Sequence, residues 1–198
     1  MTFANLLTIL RIVASPFFIW LWLIDQFFAA SMVFVAGAVT DYYDGYLARK
    51  YGDVSRLGQF LDPIADKVLV LTALFVLAAG GYIQFWMVWI IAARDVLITI
   101  PRLLGVMRGQ VVHKVTSTAK AKTALQMTVI NTIFFFIIIG RDRLVTRFIT
   151  LFSPVTDFMI KWFIFDALVL TMVVVTVYSG LGYIISHRGF LLDPFKRP

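Results

Sequence analysis

The chain has 198 residues, 61% of them hydrophobic and 16% aromatic, and a formal net charge of +7. Its mean hydropathy is strongly positive, a composition that excludes an ordinary water-soluble domain and suits a bilayer. Cysteine is absent, which excludes disulfides, thiolate metal sites and thiol nucleophiles.

In chain order the apolar runs cover residues 6–24, 27–48, 60–79, 83–104, 122–139 and 162–185. These runs predict about six transmembrane helices of roughly 20 residues each, the length that crosses a hydrocarbon core. An all-α integral membrane protein is expected, with a single membrane domain over 1–198. Helices satisfy their own backbone polar groups in lipid, and the alternation of a barrel strand is not seen. The first run has no basic residue before Arg11 and is longer than a signal-peptide core, so it reads as a retained span. Residues 140–161 mix charge with Phe, Leu and Ile around Pro154, which predicts an amphipathic stretch at the membrane surface.

Basic residues are unevenly divided between the two sets of connections. Arg49, Lys50, Arg56, Arg102, Arg108, Lys114, Lys120, Lys122, Arg188, Lys196 and Arg197 fall on one side, against Arg141, Arg143, Arg147 and Lys161 on the other. The positive-inside rule then puts both termini and the 49–59 and 105–121 connections in the cytoplasm, as for a protein of the cell's inner membrane. Positive charge distributed in this way reads as topology and attraction to anionic membrane lipids, with no nucleic acid as partner.

All the acidic residues are Asp, and five of them crowd into "DYYDGYLARKYGDVSRLGQFLDPIAD", residues 41–66, four of them in two close pairs. Asp41 and Asp44, and likewise Asp62 and Asp66, are spaced to share one helix face. Four carboxylates at membrane depth repel one another and lose hydration unless cations compensate them. Oxygen donors favour Mg²⁺ or Mn²⁺, and His113 and His187 have no companion ligands at metal spacing. Gly45 and Ala48 make a low-profile strip for a ligand, Gly58 precedes the second pair, and Arg49 ends the strip where a phosphate could be met. Asp53 falls outside this spacing and reads as a solvated bystander.

The pattern D-x2-D-G-x2-A-R-x8-G-x3-D-x3-D, matched by Asp41, Asp44, Gly45, Ala48, Arg49, Gly58, Asp62 and Asp66, resembles the signature of the CDP-alcohol phosphatidyltransferases. That resemblance implies a homodimeric membrane enzyme with six transmembrane helices per protomer and a polar active site opening to the cytoplasmic side. It implies two Mg²⁺ or Mn²⁺ ions per active site held by the four aspartates, with Asp66 also the general base. Gly45, Ala48, Arg49 and Gly58 would line the CDP site, joined by Asn5 and Thr8 of "ANLLTILR".

Other segments bear on the acceptor. "ANLLTILR" is similar to the P-N-x-L-T-x-x-R opening of the bacterial phosphatidylglycerophosphate synthases and of the related cardiolipin synthases, with Ala4 in place of Pro. "AARDVLITIPR" resembles their I-A-R-E segment with Asp95 in place of Glu, "STAKAKTALQM" their G-K-x-K-T, and "YSGLGYI" their S-G-x-x-Y. The resemblance implies transfer of a phosphatidyl group from CDP-diacylglycerol to glycerol-3-phosphate. Arg94, Arg102, Lys120 and Lys122 suit the acceptor's phosphate through charge-assisted hydrogen bonds. Arg94 and Asp95 are also candidates for an intramembrane polar network, and Lys67 for the partner of a nearby carboxylate. Cardiolipin synthesis from phosphatidylglycerol is the alternative within the family, since that acceptor also bears a phosphate. A cation transporter is the contrasting class; it accounts for intramembrane charge but not for Gly45, Ala48 and Arg49 at their offsets.

Overall fold

A computed structural model describes residues 3–51, 56–107, 117–141, 153–161 and 163–186. Among them are seven helices and no strand: α1 Phe3–Leu23, α2 Phe27–Tyr51, α3 Arg56–Ala79, α4 Phe85–Met107, α5 Ser117–Arg141, α6 Ser153–Lys161 and α7 Ile164–Ser186. Each long helix covers all but one or two residues, at most, of one of the expected apolar runs. The helical segments α2, α3, α4 and α5 continue past those runs into the polar sequence around 49–59 and 105–121. Within the 140–161 segment, Gly140 and Arg141 end α5 and Ser153–Lys161 form α6, while 142–152 lies outside the described residues.

By length and composition, two stretches among the described residues can cross a membrane, Lys122–Arg141 and Ile164–Gly182. Ile9–Leu23, Phe27–Thr40 and Lys67–Ala79 are shorter apolar stretches. The apolar sequence of α4 is interrupted midway by Arg94 and Asp95.

The long helices form a closed ring. α1 packs on α2 and α3, α3 on α4, α4 on α7, α7 on α5 and α5 on α2, while α2 also touches α3. Aromatic side chains knit one end together: Trp22 lies 4.7 Å from Phe27, 6.0 Å from Tyr82 and 5.7 Å from Phe134 between ring centroids. The α3–α4 turn is tied to the start of α7 at this end, where Gln84 N–H donates to Asp166 Oδ1 at 2.9 Å. Gly81, at φ 74°, supplies the left-handed backbone that this turn requires. The starts of α1, α3 and α5 and the ends of α2, α4 and α7 are thereby gathered at the opposite end.

The outward faces are apolar, with Trp20, Trp89, Leu97, Phe135 and Val174 all exposed. Such a surface is suited to lipid, and lipid removes the hydrophobic drive between helices, leaving close packing to hold them. Gly37 marks one close approach: a Cβ there would lie 2.6 Å from Leu69 Cδ2 and 3.5 Å from Arg11 Cγ. The missing side chain lets α2 close on α3 and α1 one turn before Asp41.

Candidate active site

Asp41, Asp44, Gly45, Ala48 and Arg49 all stand on α2, and Gly58, Asp62 and Asp66 on α3. Both stretches are helical, so the three- and four-residue spacings put each Asp pair on one face of its helix. These helices touch, and α1, which carries Asn5 and Thr8, packs on both. The side chains of all ten residues, and those of Arg102 and Lys120, lie outside the described residues, as do Asp53, His113 and His187. An all-carboxylate donor set on two contacting helices fits a hard divalent metal by its chemistry.

The described side chains build a second polar centre. Asp95, halfway along α4, is 1% exposed. Its Oδ1 accepts from Arg94 Nη1 at 2.9 Å and from the buried Lys122 ammonium on α5, while Lys67 Nζ on α3 lies 3.5 Å from Oδ2. A fourth helix completes the arrangement: Arg94 Nη2 donates to Ser179 Oγ on α7 at 2.6 Å, and that hydroxyl donates to Thr176 O at 3.1 Å. A buried carboxylate is costly unless charge and hydrogen bonds surround it, and three cations on three helices do so here.

The structure therefore brings together two of the four residues assigned to the acceptor's phosphate, Arg94 and Lys122, and adds Asp95, Lys67 and Ser179 to them. Lys67 follows Asp66 directly on α3, so the carboxylate motif and the Asp95 centre are joined by a single peptide. Ser179 carries only a faint signal in the sequence. Its signal lay in "YSGLGYI", where a serine and a glycine adjoin in an otherwise apolar helix. Their purpose emerges only with Arg94 against them: the serine receives one edge of the guanidinium and Gly180 clears space for its stem.

Residues 1–173 match the family model described as CDP-alcohol phosphatidyltransferase. The chain belongs to the CDP-alcohol phosphatidyltransferase family. Its similarity to individual members runs along nearly the whole length. A protein of Shigella flexneri serotype 5b (strain 8401), named CDP-diacylglycerol--glycerol-3-phosphate 3-phosphatidyltransferase, is 31% identical over 196 residues, covering 96% of each chain. The protein of the same name from Escherichia coli (strain K12) is likewise 31% identical over 196 residues, again 96% of both chains. The carboxylate motif on α2 and α3 and the cationic centre on α3, α4 and α5 are thus neighbouring polar groups in this member of the family.

Proposed function

We propose that this protein transfers the phosphatidyl group of CDP-diacylglycerol to glycerol-3-phosphate, releasing phosphatidylglycerophosphate and CMP. The observation that carries this reading is the 31% identity, across 96% of both chains, to proteins named for that reaction. Arg94 and Lys122 side by side support it, because glycerol-3-phosphate is a small dianion whose phosphate needs such donors.

In this reading Asp66 takes the proton from an acceptor hydroxyl. The freed oxygen forms a bond to the phosphorus that carries diacylglycerol. The bond from that phosphorus to the bridging oxygen breaks, and CMP leaves with the electron pair. Asp41, Asp44, Asp62 and Asp66 hold two Mg²⁺ or Mn²⁺ ions, which when bound neutralise the diphosphate and the charge on departing CMP. Asn5, Thr8, Gly45, Ala48, Arg49 and Gly58 seat the CDP moiety, and Arg94, Arg102, Lys120 and Lys122 the acceptor's phosphate.

α1 to α5 and α7 are the six spans, with the carboxylate end and both termini facing the cytoplasm, where Lys and Arg concentrate. α6 lies along the opposite membrane surface, and the working unit is a homodimer.

Detergent-purified protein supplied with CDP-diacylglycerol and Mg²⁺, and offered labelled glycerol-3-phosphate, phosphatidylglycerol, inositol phosphate and serine in parallel, tests the assignment. Product from glycerol-3-phosphate, lost on chelation by EDTA and in Asp66→Asn, is expected. Product from phosphatidylglycerol alone would make the protein a cardiolipin synthase, and cation flux in vesicles without CMP release would make it a transporter.

A further inference from the structure

Arg94 and Lys122 come from different helices, and two cations drawn together away from water repel each other and lose hydration. A site built from them needs something to hold them in place before any anion arrives. Asp95 Oδ1 accepts from both, so one oxygen fixes the guanidinium of α4 next to the ammonium of α5. Ser179 grips the other guanidinium nitrogen from α7 at 2.6 Å. Held at both nitrogens, the planar group cannot rotate freely about its last bonds.

Asp95 carries a negative charge that would repel a phosphate, so it does not itself meet one. Its contacts point inward, to the cations. An ammonium offers three donors and a guanidinium five. The contacts with Asp95 and Ser179 engage one donor of Lys122 and two of Arg94, so both groups keep donors for phosphate oxygens.

We propose that Asp95 and Ser179 are positioning residues for the acceptor's phosphate: together they pre-set Arg94 and Lys122, across three helices, in the arrangement that receives it. This rests on the function proposed above and extends it to residues that touch no substrate. Preorganisation of this kind lowers the ordering cost of binding and acts on affinity for the one ligand that uses the site.

The experiment compares wild-type protein with Asp95→Asn, Asp95→Glu and Ser179→Ala, varying glycerol-3-phosphate at saturating CDP-diacylglycerol and then the converse. Asp95→Asn is expected to raise the KM for glycerol-3-phosphate on the order of tenfold, the scale of one lost charge-assisted contact. Ser179→Ala, which alters no charge and leaves Asp95 still holding the guanidinium, should raise it roughly threefold. The KM for CDP-diacylglycerol should stay unchanged in both variants, and Asp95→Glu should restore most of the affinity. If Asp95 merely tempered local charge, its neutralisation would tighten phosphate binding; a KM that falls or is unmoved in Asp95→Asn overturns the proposal. Equal loss for both substrates in Ser179→Ala also overturns it, as the mark of a purely structural role. Should Asp95→Asn fail to fold, Ser179→Ala decides alone. Absence of product from glycerol-3-phosphate with the wild-type protein is a failure of the proposed function itself, seen before any variant is compared.

Discussion

Gly180 on α7 leaves the volume that the Arg94 side chain occupies: a Cβ at position 180 would lie 3.1 Å from Arg94 Cγ and 3.2 Å from its Nε. The guanidinium stem thus runs against bare helix backbone while Ser179 receives its end. Gly180→Ala requires only a small shift of a flexible stem, and turnover should remain near wild type. Gly180→Leu fills the channel and displaces Arg94, which should raise the KM for glycerol-3-phosphate on the order of tenfold, measured in the same steady-state assay.

Gly37 plays the corresponding part between α2 and α3. In Gly37→Ala the added methyl meets the end of the Leu69 side chain at 2.6 Å, a clash that a leucine can relieve by rotating, and alanine's better helix propensity offsets the remainder. Little net change in melting temperature is expected. Gly37→Leu overpacks the junction by about 1–3 kcal/mol and pushes apart the helices that carry the Asp pairs. Thermal unfolding in detergent should show a lower midpoint, and residual CMP release should fall with it.

Thr156 links α6 to α5 by donating to Phe136 O at 2.8 Å. Thr156→Val keeps the shape and deletes the donor, so a loss of about 1 kcal/mol is expected. Gly140→Ala should cost more, since its Cβ would fall 2.0 Å from Thr156 Oγ1 with the two helices already in contact. Both sit at the aromatic end, away from the carboxylates, so folded Thr156→Val protein should keep wild-type KM values for both substrates.

Arg141 and Asp157 form an ion pair of 2.6 Å at the same end, with side chains 48% and 60% exposed. Water and salt screen a pair of this kind, and its net contribution is below about 1 kcal/mol. Asp157→Asn is expected to leave the melting temperature almost unmoved. Asp95→Asn, in contrast, strands buried cations, and the same melting experiment should register it clearly.

The long helices were largely legible because each covers most of an apolar run, and lipid forces such runs to satisfy their own hydrogen bonds. Helix ends were less legible. Hydropathy stops where polar residues begin, at 48 or at 104, whereas the helical hydrogen-bond ladder continues to Tyr51 and Met107. α6 is short and mixed in character, so periodicity marked its surroundings as amphipathic without drawing its bounds.

Family membership and the carboxylate motif were matters of local spacing, because aspartates three or four apart on a helix share a face whatever the helix packs against. Arg94 and Lys122 could be chosen as cations for a phosphate, and Lys67 as the partner of some carboxylate, from charge alone. That all three converge on Asp95, and that Ser179, 85 residues away from Arg94 in the chain, takes the other side of the guanidinium, is a product of helix packing. The amino-acid order determined which segments are helical and which residues can do the chemistry. Only the tertiary structure decided which cations share one buried carboxylate, since four helices spread over residues 56–186 must pack together before their polar groups meet, and each must then find a partner out of water.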